Sequence, residues 1–173
     1  MTSLVAATLN IRNLADRWWE RAPLLFGDMA ALQPDVIGLQ EVVYPLQQDR
    51  LIGASGPGSY AALRGWAGRP EYGNSILVKE PFGGTSPDRL ELGHNRSAHA
   101  AANGREPDVT WPSGIQAPGM DVDGDPGCLD YIWVRGAIEV MSCRVAFDRP
   151  AVGDATLYPS DHFGLVAELR VGE

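Results

Sequence analysis

Asp35-Val36-Ile37-Gly38-Leu39-Gln40-Glu41 is the stretch on which the fold of this chain turns. Val36 to Leu39 is a short apolar run bounded by turn signals, which reads as a fully buried strand. Upstream, Leu4 to Ile11 has few polar residues and reads as an interior strand closing on Thr8-Leu9-Asn10. Between the two, Trp18 to Leu32 carries apolar residues at helical spacing, with Asp16 the expected N-cap and Pro34 the stop. At the far end, His162 to Val171 alternates as a terminal strand and is introduced by Ser160-Asp161-His162. Asn10, Glu41 and the Asp161-His162 pair therefore each fall at a strand end.

The rest of the chain is strand-rich. Pro45 to Ile52 is expected as a short helix and residues 53–58 as a loop. Tyr60 to Trp66 and Asn74 to Val78 read as neighbouring strands, with Arg89 to Leu92 as one more. Residues 93–127 lack periodicity, and a stretch so long without pattern inside a domain tends to be functional or abnormal. Leu129 to Val134 and Ile138 to Phe147 restore strand pattern. Strands with one clear helix between the first two predict an α+β layered domain.

Bulk properties narrow the class. The chain has 173 residues, 45% of them hydrophobic and 21% charged, which fits one globular domain. No apolar stretch approaches the roughly 18 residues of a membrane span. The N-terminus lacks a basic region and a long apolar core. A cytoplasmic location without stable membrane insertion is expected. Cys128 and Cys143 have neither a disulfide framework nor zinc-ligand spacing and read as ordinary thiols. The net charge of -8 shows no evident basic face for a long nucleic-acid backbone.

The strand-end residues carry the chemistry. An unpaired carboxylate at the end of a buried strand costs several kcal/mol, so Glu41 needs a partner. A salt bridge or a helix N-terminus would serve. So would Mg²⁺, which takes one or two carboxylates and completes its shell with water and phosphate. Asn10 suits either a turn or the orientation of a phosphate or a water. Asp161-His162 places a metal-coordinating or water-orienting carboxylate beside an acid/base imidazole. Asp130, at the start of another expected strand, is placed to fix the tautomer of that imidazole. Asp121-Val122-Asp123-Gly124-Asp125 starts like a calcium loop, but Pro126 and Ile132 stand where Gly and Glu are required, so it reads as an acidic turn. Trp18-Trp19 reads as one buried and one partly exposed ring on a helix.

Taken in order, Thr8-Leu9-Asn10, the 35–41 stretch, Tyr72-Gly73-Asn74-Ser75-Ile76-Leu77, Leu129-Asp130-Tyr131-Ile132 and Ser160-Asp161-His162-Phe163 resemble successive motifs of the endonuclease/exonuclease/phosphatase superfamily. The resemblance implies a two-sheet α/β/β/α sandwich and a Mg²⁺- or Mn²⁺-dependent phosphoester hydrolase. It implies Glu41 as the main metal ligand, with Asn10 in the phosphate and metal shell and Asp161 assisting the metal. It implies His162 at the scissile phosphate, oriented by Asp130. The substrate would be a small-molecule, lipid-headgroup or nucleic-acid phosphoester.

Two motifs of the superfamily are missing. No Gly-Asp in the chain is followed by Asn two residues later, and such an Asp and Asn position the attacking water in family members. The nearest counterpart of a strand-terminal His, His99, has the wrong flanks. Both belong near residues 100–103, where the chain reads as a single domain with an internal deletion of central strands. Such a loss leaves sheet edges open to self-association. It also opens a second reading, a non-catalytic metal- or phosphate-binding remnant or an unstable truncated product.

Overall fold

The apolar runs near the two ends of the chain meet in one sheet. A computed structural model describes residues 2–56, 59–65, 72–80, 95–120 and 123–172. Strand β1 (Thr2–Asn10) lies parallel to β2 (Val36–Val42) and antiparallel to the terminal strand β8 (Gly164–Val171). With β3 (Tyr60–Gly65), β4 (Gly73–Lys79) and β7 (Ile138–Ala146), the order is β3-β4-β2-β1-β8-β7. A second, small sheet pairs β5 (Arg96–Ser97) with β6 (Trp133–Val134). The architecture is α+β, with a large sheet and a small one. Among the described residues, no helix is long and apolar enough to cross a membrane.

Strand alternation gives each face of the large sheet its own core. Leu9, Ile37, Leu39 and Leu77 point to one face. Helix α1 (Trp18–Leu32) covers it with Trp18, Ala22, Leu25 and Met29, a stripe at spacings of three and four residues. Full burial of each large member of that stripe contributes about 1.5–3 kcal/mol. Helix α2 (Leu46–Ala54) adds Leu51. The opposite face carries smaller residues, Ala6, Cys143, Leu165 and Ala167, against Ala98 and Val134. Burial there pushes the Cys143 thiol up to about 11.

Local expectations meet the structure unevenly. Gln33, in the left-handed region, closes α1 with its N–H on the Met29 carbonyl, and Pro34 follows. The N-cap is Arg17 and not Asp16, because Asp16 is held by Arg12. Trp18 is 2% exposed and Trp19 63%. Residues 98–103 form an unexpected short helix, α3 (Ala98–Asn103), capped by the Ser97 hydroxyl and tied to β7 by Asn103 Nδ2 on the Cys143 carbonyl. His99 lies on this helix and not at a strand end. Of Leu129 to Val134 only β6 is strand. The expected strand Arg89 to Leu92 lies outside the described residues.

Gly164 shows how tightly β8 enters the sheet. A Cβ there would stand 2.3 Å from the Thr8 carbonyl oxygen and 2.7 Å from the Phe147 ring. Gly164→Ala is expected to destabilise by about 1–3 kcal/mol. Gly27→Ala in α1, where nothing lies within 4 Å, is expected to stabilise by about 0.5–1 kcal/mol. Urea denaturation of the two variants measures both, and equal effects would contradict this packing.

Candidate active site

Chain continuing past β1 forms the floor of the site. Arg12, Asn13, Asp16 and Arg17 all have positive φ, which side chains other than glycine tolerate at a cost of about 1–3 kcal/mol each. One side chain offsets this. The fully buried guanidinium of Arg21 donates to six carbonyls, those of Ile11, Arg12, Asn13, Ala15, Asp16 and Pro159. Burial pulls its pKa down to about 10, so it stays cationic at neutral pH. Gln47 from α2 adds a donor to the Asn13 carbonyl.

Glu41 interrupts β2. Its φ is 57°, and the register with β4 shifts between Leu39 and Val42. This bulge takes the carboxylate out of the strict alternation that buries Leu39. Asn10 Nδ2 donates to Oε1 at 3.2 Å and Asn13 Nδ2 to Oε2 at 2.9 Å. Both donors are neutral amides. Among the described residues, Glu41 has no ion pair.

The other two carboxylates have side-chain partners, Asp161 sharing Arg12 with Asp16 and Asp130 bonded to His162. Asp161 is 1% exposed and its Oδ2 lies 3.5 Å from Arg12 Nη1. The indole N–H of Trp111 reaches the same oxygen at 3.4 Å. Ser160 Oγ donates to the Asn10 carbonyl at 2.6 Å, which locks the start of β8 to the end of β1. Asp130 Oδ2 accepts from His162 Nδ1 at 2.9 Å. A carboxylate only accepts, so Nδ1 carries the proton and Nε2 is the nitrogen available to the cleft. Burial works to lower the His162 pKa, but the bond to Asp130 and the charges of Asp130, Asp161 and Glu41 outweigh it and hold it above the ordinary value.

That balance predicts a pH dependence. A raised folded-state pKa contributes stability that is fully present below the unfolded value near 6.5 and is lost as pH rises through the folded value. Asp130→Asn is expected to lower the His162 pKa and flatten this slope. NMR titration of the His162 ring proton measures it. An unchanged pKa would show that Asp130 does not hold the imidazole.

Asn10, Glu41, Asp130, Asp161 and His162 thus share one neighbourhood, linked through Asn10 and Ser160. His162 and Asn10 line a cleft of about 310 Å³ with Thr8, Gln40, Asp130 and Trp133. Sequence reasoning missed Arg12, Asn13, Arg21 and Trp111. Arg21 alone left a signal, a cation within the apolar stripe of α1. Trp111 comes from the pattern-poor segment, which is tied to the site by Ser113 N–H on the Asp161 carbonyl and Phe163 N–H on that of Thr110.

A magnesium or manganese ion fits this donor set in a limited way. Among the described residues, no three His, Cys, Asp or Glu side chains are grouped to cage a metal. Mg²⁺, however, is commonly held by one or two carboxylates plus substrate phosphate and water. Glu41, half-buried and, among the described residues, in no ion pair, has the donor chemistry such an ion would need.

No protein-family model matches the sequence, and no curated protein sequence matches it. Solved structures do. TDP2 of D. rerio, complexed with a single-stranded DNA product, superposes with a TM-score of 0.75 at 14% identity, covering 99% of this chain and 100% of that one. TDP2 of C. elegans gives 0.71 at 15% identity over 96% and 75% of the two chains. The endonuclease/exonuclease/phosphatase of Bacteroides vulgatus gives 0.69 at 14% identity over 99% and 100%. At these identities the likeness establishes the fold.

Proposed function

We propose that this chain, which has the endonuclease/exonuclease/phosphatase fold, is a Mg²⁺- or Mn²⁺-dependent hydrolase of phosphoesters, and of phosphodiesters in particular. One observation carries the reading. Of the carboxylates around Asn10, Glu41 alone is in no ion pair among the described residues, while Asp161 meets Arg12 and Asp130 is bonded to His162.

Glu41 would hold the metal, with Asn10 and Asn13 fixing the carboxylate and Asp161 acting beside it through Arg12. The bound ion supplies Lewis-acid neutralisation of the phosphate oxygens. His162, kept protonated at Nδ1 by Asp130, directs Nε2 to the phosphate. In its imidazolium form it donates there and stabilises charge that grows as water attacks in line and the ester oxygen departs. Arg12 places a second cation next to Asp161.

The proton of the attacking water passes to solvent, because among the described residues no side chain lining the cleft is free to accept it. The Gly-Asp-x-Asn motif is missing, and Asp130, the carboxylate that lines the cleft, is committed to His162. A general base is worth on the order of 10²–10⁴ in rate. This observation favours slow turnover, or the second reading, a shortened domain that binds metal or phosphate without catalysis.

Hydrolysis of bis(p-nitrophenyl) phosphate with graded Mg²⁺ or Mn²⁺ separates them. Metal-dependent release of nitrophenol supports the hydrolase. Metal-induced thermal stabilisation without release supports the binding domain. Neither effect would sink both.

A further inference from the structure

Beside His162 the cleft wall carries two aromatic rings. Tyr131 and Trp133 stack with centroids 5.3 Å apart and planes 17° from parallel. The Tyr131 hydroxyl donates to the Cys128 carbonyl at 3.0 Å, and the Thr110 hydroxyl accepts the backbone N–H groups of Leu129 and Asp130. Trp133 lies in β6, paired with Ser97. Both rings are thus placed before any ligand arrives, yet Trp133 is 57% exposed. A large ring held in position and left open to water is an informative departure from burial.

The surroundings say what would cover it. The rings share the cleft with His162, and Thr8, Asn10 and Gln40 add amide and hydroxyl groups to the same cleft. A volume of about 310 Å³ is at the small end of ligand sites and suits one nucleotide, not a duplex. The net charge of -8 also argues against the long polyanion that a cationic track would bind. Asp130, which orients the imidazole, is followed directly by Tyr131 and, two residues later, by Trp133. One short segment therefore sets the distance between phosphate and ring.

We propose that Tyr131 and Trp133 form a stacking platform that seats one nucleobase of a short or single-stranded nucleotide substrate while its phosphate lies at His162. This rests on the hydrolase reading above and names its substrate class. Stacking on an aromatic side chain is tolerant of base identity, so the platform would favour the presence of a base over any particular one. Loss of the ring would weaken binding roughly fivefold to a hundredfold.

The test compares a thymidine trinucleotide with the same molecule carrying an abasic sugar in the middle. Binding is measured by calorimetry in Ca²⁺ and hydrolysis in Mg²⁺ and Mn²⁺, for the native chain, Trp133→Ala and Trp133→Phe. The expected result is that Trp133→Ala weakens the trinucleotide about tenfold and leaves the abasic probe unchanged, while Trp133→Phe restores most of the loss. Equal affinity of the native chain for both probes, equal loss for both in Trp133→Ala, or no binding of either overturns the platform. So does self-association that Trp133→Ala abolishes without any preference for the base. Base-dependent binding without hydrolysis would remove the hydrolase reading and leave the platform. Hydrolysis without base preference would do the reverse.

Discussion

On the proposed hydrolase reading, Glu41→Gln is expected to abolish metal-dependent hydrolysis and, with it, the thermal shift expected of the native chain in Mg²⁺ or Mn²⁺. The substitution keeps the shape of the side chain and removes the carboxylate of the site that, among the described residues, is in no ion pair. Losing a metal that acts as Lewis acid raises the barrier by about 4 kcal/mol, on the order of a thousandfold in rate. At metal concentrations near a hundred times Kd, the native chain should gain about 2.7 kcal/mol of stability, and the variant none. The variant also has a structural cost. Asn10 Nδ2 and Asn13 Nδ2 both donate to Glu41, and an amide accepts at only one end. One N–H would then face another, a loss of about 1–3 kcal/mol. Melting curves of both chains with and without metal separate the two effects. A metal shift that survives in Glu41→Gln would place the ion elsewhere.

Arg21→Met is expected to cost the most stability of any single change away from the apolar core, about 3–5 kcal/mol. For a chain of this size that is a fall in Tm of roughly 6–20 °C. Methionine fills much of the space but donates nothing, so six carbonyls lose their shared partner. Four residues of positive φ between Arg12 and Arg17 would lose what holds them. Asn13 would no longer be fixed beneath Glu41, nor Arg12 beside Asp161, so metal binding should weaken together with stability. Arg21→Lys is expected to recover little, because one ammonium cannot span the fork that a planar guanidinium covers. A drop below about 1 kcal/mol in Arg21→Met would mean that the loop holds itself.

Legibility followed the range of the forces involved. The first helix was readable because its apolar stripe and its Pro34 stop are local signals. Its N-cap was not, since Asp16 is drawn away by Arg12 and the carbonyls that frame the helix start belong to Arg21. The segment at 98–103 gave no helical period and became helical through the Ser97 cap and its packing on β7. The strand expected at 129–134 shrank to β6 because the Thr110 hydroxyl takes the N–H groups of Leu129 and Asp130.

By itself the sequence determined the order of strands around α1 and the appearance of Asn10, Glu41 and Asp161-His162 at or beside strand ends. Apolar periodicity and turn residues act over a few positions and need no partner to be read. The tertiary structure alone decided which partner each of these groups meets. Asn13 meets Glu41 across 28 residues, Trp111 meets Asp161 across 50, and Asp130 meets His162 across 32. Such pairings depend on loops held in place by buried hydrogen bonds, and no local pattern encodes where a loop comes to rest.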